Sequence, residues 1–545
     1  MPSPHRQARR SRVAASLAAV AVLALAACSS SSHGGTTSPR PTTAAPTTAA
    51  PISAATPAPS PPPTTTDAPT ASAAPTSTVP ATLAPASLRW VPCTESDLKA
   101  ADQCSSLQVP LDRSKPTGTQ ITLALVRRPA GVPSKRTGSL LINPGGPGGS
   151  TLSEFDFLAD GLSSSVRQQL DVVGWDPRGV GKSDPLKCFD GPTGDRLLAD
   201  SPDLTTAAGQ AKSQSDAREL AAGCAKYSGA LLPFVGTVDT AKDMDAIRAA
   251  VGDDKLTYLG YSYGTFIGTV YAQLFPTKVR ALALDGAVDS TVDPITSTEV
   301  QADGFENNLK AFLADCSSSA GCAFHPGGDL LTAVRSLRAR VQATPMKTSL
   351  GNRMLTESLF QTGVAAALYS KDTWPTLQMG LSNAEGGDGT LLLALSDALD
   401  ERAQDGSYSA LIPALNAVNC LDYSYPSGLA PYLASYQRLQ KTAPDFADEA
   451  VGSYVCSIWP AKAAQARPPL PVSGVPPIVI VGTTNDPATP FTEAQGLQRS
   501  ISGSVLVTRV GSGHTGYDAS ACVRGYVDAY LERLTVPRAG ARCTS

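Results

Sequence analysis

The chain has 545 residues, and 44 Lys and Arg against 47 Asp and Glu give it a formal net charge of −3. This balance argues against the basic surface that nucleic-acid binding needs, so we expect no nucleic-acid partner. Because 42% of the residues are hydrophobic and only 17% are charged, the chain can bury a large core. Four histidines are too few to favour a zinc enzyme with His ligands, and we expect neither a metal nor another cofactor.

The first 28 residues resemble an export signal. Four arginines precede the apolar run 13–27, which is too short to span a bilayer but suits a signal-peptide core. The run ends in Leu25-Ala26-Ala27-Cys28, and small residues directly before a cysteine resemble the bacterial lipoprotein signal. We favour a lipid on Cys28, which would anchor an extracytoplasmic protein in the cell membrane. The alternative is ordinary secretion with Cys28 removed.

Residues 29–86 are almost entirely Ser, Thr, Pro, Ala and Gly, and Arg40 and Asp67 are their only charged side chains. Such a segment cannot bury enough apolar surface to offset its ordering entropy. We therefore predict a disordered stalk that separates the membrane from a folded part beginning at residue 87.

Ten cysteines follow Cys28, and an even number in an exported chain predicts a set of disulfides. The sequence does not fix their connectivity, and we choose pairing between neighbours because the separations are short. Free buried thiols and a metal cluster are the alternatives, but the chain contains no CxxC motif. The chosen pairs are Cys93–Cys104, Cys188–Cys224, Cys316–Cys322, Cys420–Cys456 and Cys522–Cys543.

Short apolar runs bounded by Gly, Pro or Asp alternate with helix-like stretches after residue 87. Continuous apolar runs are typical of strands buried on both faces of a sheet. The predicted strands are 121–126, 139–142, 170–175, 256–259, 281–284, 478–481 and 505–510. The predicted helices among them are 240–251, 264–275 and 523–534. This alternation predicts an α/β fold with a mostly parallel sheet.

The strand rhythm stops between residues 284 and 478. The intervening sequence is rich in Leu and Ala and helix-like throughout. We interpret residues 290–470 as a helical insertion that forms a lid. It divides the sheet-forming core into a first part at 87–289 and a second part at 471–545.

The sequence Gly260-Tyr261-Ser262-Tyr263-Gly264 follows a predicted strand and precedes a predicted helix. A Gly-x-Ser-x-Gly pattern in this context is typical of a nucleophile elbow, in which a sharp turn projects the serine hydroxyl. An accidental turn is the alternative, since glycine and serine are common. We predict that Ser262 is a nucleophile.

A serine nucleophile needs a base, and the histidine count limits the choice. His5 lies in the signal and His33 in the stalk, which leaves His325 and His514. His514 lies in a glycine-rich loop just after the strand 505–510, where it can approach the elbow. His325 lies in the insertion close to Cys322 and is more easily a surface residue. We therefore predict that His514 is the base.

Asp486 follows the strand 478–481, one strand before the histidine loop. An Asp before a proline can simply turn the chain. Here, however, it completes the order Ser, Asp, His, which is the order found in α/β-hydrolases. We predict that Asp486 orients the imidazole and stabilises its protonated form.

The loop Asn143-Pro144-Gly145-Gly146-Pro147-Gly148-Gly149-Ser150 directly follows the strand 139–142. Its glycines leave backbone N–H groups unshielded, as an oxyanion hole requires. A phosphate-binding loop is the alternative, but no Gly-Lys-Ser/Thr follows. We predict that the N–H of Tyr263 and an N–H of Gly146 or Gly145 stabilise an oxyanion.

These motifs together resemble the proline iminopeptidase and tripeptidyl aminopeptidase branch of the α/β-hydrolases. The resemblance extends from about residue 88 to the C-terminus, where Asp486 and His514 match a domain of secreted actinobacterial enzymes. Proline iminopeptidases usually carry histidine at the position of Pro144, so the chain is more similar to the tripeptidyl group. The matching segments are 145–150, 173–183 and 260–264.

The segment Trp175-Asp176-Pro177-Arg178 carries two charges beside a predicted strand. We assign it a structural task and expect Asp176 and Arg178 to pair with each other. Such a pair would brace the loops around the elbow.

The resemblance implies a secreted serine exopeptidase that releases short peptides, tripeptides in particular, from unblocked N-termini through an acyl-enzyme on Ser262. Such an enzyme takes peptides as substrates and needs carboxylates for the substrate ammonium. The lid offers Asp422, Glu357 and Glu306, each of which can also be an ordinary surface acid. Two alternatives remain: a carboxylesterase or lipase with the same triad, and a peptide-binding lipoprotein without catalysis.

Overall fold

The computed structural model of the protein describes residues 88–95, 98–468 and 470–544. The predicted signal peptide, Cys28 and the stalk lie outside these residues. The strands are β1 (Val91–Pro92), β2 (Gln103–Pro110), β3 (Gln120–Arg128), β4 (Gly138–Asn143), β5 (Leu170–Trp175), β6 (Leu256–Tyr261), β7 (Val279–Asp285), β8 (Met346–Lys347), β9 (Met354–Leu355), β10 (Val479–Asn485), β11 (Val505–Ser512) and β12 (Arg542–Thr544).

Helices occupy most of the remaining described chain. The helices are α1 (Thr151–Gly161), α2 (Ser164–Gln169), α3 (Gly191–Ala199), α4 (Ala207–Ser228), α5 (Thr237–Ala250), α6 (Tyr263–Leu274), α7 (Pro294–Ser318), α8 (Leu330–Ala343), α9 (Glu357–Leu368), α10 (Trp374–Glu385), α11 (Thr390–Leu399), α12 (Leu411–Asp422), α13 (Ala430–Thr442), α14 (Glu449–Gly452), α15 (Phe491–Ser500) and α16 (Ala521–Arg533). In the described residues, no helix combines the length and the apolar character that a membrane span needs.

Ten strands form one sheet in the order β1-β2-β3-β5-β4-β6-β7-β10-β11-β12. The first strands are antiparallel, whereas all pairs from β5 to β12 are parallel. The predicted mostly parallel α/β architecture is therefore confirmed. Because the parallel strands share one direction, the loops that follow β4, β6, β7, β10 and β11 emerge at one edge of the sheet.

All seven predicted strands and all three predicted helices are confirmed, with ends that move by a few residues. The strands β1, β2 and β12 were not predicted. In β2 the buried side chains Leu107 and Val109 alternate with the exposed Gln108, because this strand covers the core with one face only. A search for continuous apolar runs does not find such a strand.

Helices cover both faces of the sheet and bury its apolar side chains. One face packs against α5, α6 and α15, with Met244, Phe266 and Leu497 in the shared core. The other face packs against α1, α2 and α16, for example through Phe155 and Val527. Burying a side chain of this size contributes about 1.5–3 kcal/mol to the free energy of folding.

Between β7 and β10 the described chain contributes α7–α14 and the β8–β9 hairpin, and no strand of the main sheet. These helices have a core of their own around Phe312, Phe360 and Leu377. Leu204, which lies between α3 and α4, belongs to the same core. The helical layer is therefore larger than the predicted insertion, because α3 and α4 join it from the first part of the sheet-forming core.

All five predicted disulfides are confirmed, and each joins neighbouring cysteines. Cys420–Cys456 ties α12 to the 3₁₀ helix Ser453–Ile458 within the insertion. Cys188–Cys224 fixes α4 to the segment that follows β5. Closing these loops restricts the unfolded chain and so stabilises the helical layer.

The expected pairing of Asp176 with Arg178 is wrong. Asp176 accepts hydrogen bonds from the Ser150 hydroxyl at 2.9 Å and from the Lys182 N–H at 2.8 Å. Arg178 instead binds Asp243 on α5, with Nε 2.6 Å from Oδ2. Asp176 therefore braces the start of α1 and the turn at Lys182, whereas Arg178 binds α5.

Candidate active site

Ser262 lies at a sharp turn between β6 and α6. Its backbone has φ 53° and ψ −127°, a conformation that non-glycine residues rarely adopt. The Ser262 N–H donates to the Asp285 carbonyl at 2.8 Å, and the Thr265 N–H donates to the Ser262 carbonyl at 2.8 Å. Hydrogen bonds on both sides of the residue therefore hold the strained turn in place.

The glycines of the elbow are required by close packing. A Cβ atom on Gly260 would lie 2.5 Å from the Gly264 carbonyl oxygen, and one on Gly264 would lie 2.9 Å from the Asn143 carbonyl oxygen. Neither contact is sterically possible. The Gly-x-Ser-x-Gly pattern thus allows β6, α6 and the end of β4 to approach one another beneath Ser262.

His514 is hydrogen-bonded to Asp486, as predicted from the strand order. Its Nδ1 lies 2.8 Å from Asp486 Oδ1, and the Thr515 N–H donates to Oδ2 at 3.1 Å. The Thr489 N–H donates to Oδ1 at 2.9 Å, and the Thr489 hydroxyl lies 3.4 Å from His514 Nδ1. From the insertion, the backbone carbonyl of Tyr369 accepts a hydrogen bond from the backbone N–H of His514 at 2.7 Å. The imidazole is therefore fixed from both the sheet and the insertion.

The electrostatic surroundings favour the protonated form of His514. Burial alone lowers its pKa, but the charge and the hydrogen bond of Asp486 raise it, and the charge of Asp285 adds to them. The net direction is a pKa above the usual value of 6.5. An imidazole in this environment can accept a proton and hold it during a reaction.

His514 Nε2, the nitrogen that would take the serine proton, is buried and has no hydrogen-bond partner among the described residues. Ser262 is therefore not hydrogen-bonded to it in this conformation. The two residues nevertheless flank the same dipeptide: Asp285 binds the Ser262 N–H, and a Cβ on Gly286 would lie 3.0 Å from His514 Cε1. The hydrogen bond between a nucleophile and its base is often long in enzymes without substrate, and it shortens when the substrate binds.

The glycine-rich loop after β4 lies directly against the elbow. A Cβ on Gly145 would lie 2.9 Å from Ser262 Cβ and 2.9 Å from the Tyr263 nitrogen, and its φ is +103°. The Gly145 N–H, one of the predicted oxyanion donors, donates to Asn143 Oδ1 at 3.0 Å in this conformation. The Gly146 and Tyr263 N–H groups have no hydrogen-bond acceptor among the described residues, so they are the donors best placed for an oxyanion.

Comparison with known proteins places the chain in a family. The model of the alpha/beta hydrolase fold matches residues 138–520, which include all of the segments above. The chain belongs to the α/β-hydrolase family. The predicted fold class is thereby confirmed.

Several relatives of this α/β-hydrolase are enzymes by name. "Serine protease Hip1" of Mycobacterium tuberculosis is 37% identical over 479 residues, which cover 84% of this chain and 91% of the relative. "Carboxylesterase B" of the same species is 36% identical over 476 residues, covering 83% and 89%. "Tripeptidyl aminopeptidase" of Streptomyces lividans is 33% identical over 455 residues, covering 81% and 84%.

The structure places Glu306 and Glu357, two of the acids predicted to bind a substrate ammonium, in ion pairs within the helical layer. Glu306 is 1% exposed and binds Arg335 at 3.1 Å and Lys310 at 3.2 Å. Glu357 is paired with Arg338 and lines a cavity of about 540 Å³ that Ser262, Asp486 and His514 do not line. Both carboxylates are thus neutralised by cations inside the helical layer.

Asp422 lies closer to the elbow than the other two acids. Its Oδ1 accepts the Thr237 N–H at 2.9 Å, and its Oδ2 accepts the Thr237 hydroxyl. Thr237 Oγ1 in turn lies 2.5 Å from the Tyr263 hydroxyl. Burial raises the pKa of Asp422 to about 6, against the lowering effect of the Thr237 hydrogen bonds.

His325 is exposed beside the Cys316–Cys322 disulfide, in agreement with its interpretation as a surface residue. Asp285 and Tyr369 are two further residues of the site that are not predicted from the sequence. The Tyr369 ring packs edge-on against His514 with centroids 5.5 Å apart. Asp285 directly follows the apolar run 281–284 of β7, and Asp486 likewise comes after an apolar run. Tyr369 lies in the insertion, where no local pattern marks its approach to His514.

Proposed function

We propose that this serine hydrolase is an exopeptidase that releases short peptides, tripeptides in particular, from unblocked N-termini. Ser262 is the nucleophile, His514 the base and Asp486 the acid that orients it. The observation that carries the proposal is the meeting of the strained serine turn and the His514–Asp486 hydrogen bond of 2.8 Å at one sheet edge. The relatives named serine protease and tripeptidyl aminopeptidase support peptides as substrates.

In the first half of the reaction, His514 Nε2 takes the proton of the Ser262 hydroxyl as its oxygen attacks the scissile carbonyl carbon. The carbonyl oxygen becomes negative and accepts hydrogen bonds from the Tyr263 and Gly146 N–H groups. The protonated imidazole then gives its proton to the leaving amine, and the C–N bond breaks. This leaves the N-terminal fragment of the peptide as an ester of Ser262.

In the second half, water attacks the ester carbonyl while His514 takes one of its protons. The tetrahedral intermediate is stabilised by the same N–H groups and collapses when His514 returns the proton to the Ser262 oxygen. Asp486 keeps the imidazole in one tautomer and stabilises its charge in both halves. The products are a short peptide acid and the shortened chain.

An exopeptidase must also recognise the substrate ammonium. Among the three acids predicted for this task, Asp422 remains the candidate, because it makes no ion pair with a described Lys or Arg side chain. Through Thr237 it is connected to Tyr263, which follows the nucleophile. A carboxylate that binds the substrate ammonium would select peptides with a free amino group.

A carboxylesterase is the second candidate function. The relative named carboxylesterase B is 36% identical, close to the identity of the relative named serine protease. The same triad and oxyanion hole can act on esters as well as amides. A peptide-binding lipoprotein without catalysis is disfavoured by the intact His514–Asp486 pair and the strained Ser262.

Product analysis by mass spectrometry distinguishes these functions. The full chain is incubated with one peptide in free and N-acetylated form and with a short-chain ester, alongside the Ser262→Ala variant. We expect tripeptides from the free peptide, little turnover of the acetylated peptide, and none by Ser262→Ala. An increased KM for the free peptide in Asp422→Asn, with unchanged ester kinetics, would support its ammonium contact. Equal turnover of both peptides, or turnover of the ester alone, would contradict the exopeptidase.

We also propose that the protein is exported and anchored through a lipid on Cys28. The five disulfides support an oxidising compartment outside the cytoplasm. Fractionation of cells that express the wild type or Cys28→Ala tests the anchor. We expect the wild type in the membrane fraction and the variant in the medium, and identical fractionation would contradict it.

A further inference from the structure

Asp285 is a buried carboxylate that the reaction above does not use. It is the last residue of β7, and β7 lies between the strand that leads to Ser262 and the strand that leads to Asp486. Its sheet partners are Tyr261 on β6 and Val481 on β10. Asp285 is 0% exposed, and its carboxylate accepts hydrogen bonds from backbone N–H groups. Burying a carboxylate costs free energy unless hydrogen bonds or an opposite charge compensate for the lost hydration.

The Asp285 carboxylate binds the backbone that directly follows His514. The Gly516 N–H donates to Oδ1 at 2.8 Å, and the Tyr517 N–H donates to Oδ2 at 2.7 Å. The preceding N–H, that of Thr515, donates to Asp486. Two carboxylates therefore fix three successive N–H groups, and the His514 ring is held at the start of this series.

The backbone of the same segment holds the nucleophile. The Asp285 carbonyl accepts the Ser262 N–H at 2.8 Å, at the turn with the strained φ. The next residue, Gly286, has φ +67° and would place a Cβ 3.0 Å from His514 Cε1. Asp285 thus contacts the turn of the nucleophile through its main chain and the loop of the base through its side chain.

We propose that Asp285 is a positioning residue, which holds the His514 loop against the Ser262 elbow and stabilises the protonated imidazole by its negative charge. The inference rests on the proposed function, since it takes His514 as the base. Asp486 remains the acid bound to Nδ1. The new element is a second negative charge that is linked to the base through backbone N–H groups.

The charges around the two residues agree with this role. Burial raises the pKa of Asp285 to about 7, and the Tyr517 and Gly516 N–H groups and the charge of His514 oppose that rise. Its negative charge in turn raises the pKa of His514. From the insertion, Tyr369 also faces His514. The titratable and charged groups that face Asp285 are Tyr261, Asp486, Arg509, His514, Tyr517 and Asp518.

Asp285→Asn removes the charge and one of the two acceptor oxygens while it preserves the size of the side chain. The measurement is the pH dependence of the rate at which a fluorophosphonate probe labels Ser262 in the full chain. We expect a fall of about tenfold or more at the pH optimum, because a displaced base loses its alignment with the serine. We also expect the acid limb to move to lower pH, since an imidazolium with one fewer negative neighbour loses its proton more easily.

Asp171→Asn is the matched control. Asp171 is also a buried carboxylate of the sheet and accepts the Ala130 N–H at 2.8 Å, but it lies at the amino end of β5. It binds Arg136 as well, with Nε at 2.9 Å. We expect this variant to lose stability while its labelling rate and its acid limb remain those of the wild type.

Asp285→Glu keeps the charge on a longer side chain and serves as the second variant. We expect its acid limb close to that of the wild type and its labelling rate reduced. A folded Asp285→Asn with the wild-type rate and acid limb would overturn the proposal, and so would failure of both Asp285 variants to fold. A wild type whose label is not on Ser262 would instead refute the proposed function.

Discussion

Two acids at the carboxyl edge of the sheet and two acids in the helical insertion are held in opposite ways. At the edge, Asp285 and Asp486 are buried and accept hydrogen bonds from backbone N–H groups, and Asp486 also binds His514. In the insertion, Glu306 and Glu357 are equally buried but are paired with arginines. The negative charge of Asp285 and Asp486 is thus left available for the imidazole, whereas that of Glu306 and Glu357 is balanced by arginines.

The sheet edge and the insertion also differ in the interactions that hold them together. The edge is built from loops whose positions follow from the strand order, and its polar contacts join loops that follow neighbouring strands. The insertion is held by its own core, by disulfides and by ion pairs between helices. Substitutions at the edge should therefore change the reaction, whereas substitutions in the insertion should change the free energy of unfolding.

Asp486→Asn should have the largest effect among the variants that test this division. The amide cannot stabilise the imidazolium and favours the wrong tautomer, so we expect kcat to fall about 10³- to 10⁴-fold. The matched control is Asp289→Asn, because Asp289 is a buried acid that also follows a strand and accepts the Thr291 N–H at 2.9 Å. Steady-state kinetics should show less than about a threefold change in the control. Comparable losses in both variants would contradict the special role of Asp486.

Gly145→Ala should have the next largest effect. The added Cβ would lie 2.6 Å from the Tyr261 carbonyl oxygen and 2.9 Å from the Tyr263 nitrogen, so the loop must move away from the elbow. We expect kcat to fall about 10²-fold or more, since an oxyanion donor is displaced with the loop. Gly252→Ala is the control, because Gly252 also has a positive φ, +87°, but nothing lies within 4 Å of its Cβ position. It should lose stability only, and an equal kcat in both variants would contradict the proximity of the loop to the reaction.

Glu357→Gln tests the insertion. Removing its charge weakens the pair with Arg338, so we expect the free energy of unfolding to fall by about 1–3 kcal/mol. Because Glu357 faces arginine and not the substrate, kcat/KM for an unblocked peptide should change less than about threefold. Denaturant unfolding and peptide kinetics measure the two quantities. A rise in KM of more than about tenfold for unblocked peptides alone would restore Glu357 to ammonium binding.

The pH dependence of stability should be a smaller effect that involves both regions. Burial raises the pKa of Glu493 to about 8 and those of Asp285 and Asp400 to about 7, so the folded state binds more protons than the unfolded state between about pH 4 and pH 8. Stability should therefore fall as pH rises through this window, by about 1 kcal/mol or more in total.

Urea unfolding at pH 5 and pH 8 measures this difference in stability. No reductant is added, so that the disulfides stay intact. Higher stability at pH 8 than at pH 5 would contradict the raised pKa values of these carboxyls. Asp285→Asn should reduce the difference between the two pH values, since one of the contributing groups is then absent.

Much of the sheet edge could be predicted from the sequence because each of its features is local. The elbow, the glycine-rich loop and the loops with Asp486 and His514 each follow an apolar run, and parallel strands bring their carboxyl ends together. Asp285 shows the same pattern at the end of β7, but it was not singled out because the triad was already complete. The position of Asp285 in the sheet is thus easier to predict from the sequence than its role in the site.

The insertion could be predicted as helical but not in its contacts. Arg338 and Glu357 are on neighbouring helices, and Tyr369 reaches His514 from a segment far away in the chain. Such pairings depend on how helices pack, and helical periodicity does not specify that. The pairing of Glu306 and Glu357 with arginines is accordingly a feature that the sequence does not predict.

The meeting of Ser262 with His514 is tested most directly by mapping the fluorophosphonate label with tandem mass spectrometry in the wild type, Ser262→Ala and His514→Ala. The label should lie on Ser262 in the wild type, be absent from Ser262→Ala, and form far more slowly in His514→Ala although that variant folds. A label on another residue, or an unchanged labelling rate after loss of the imidazole, would contradict the proposed triad.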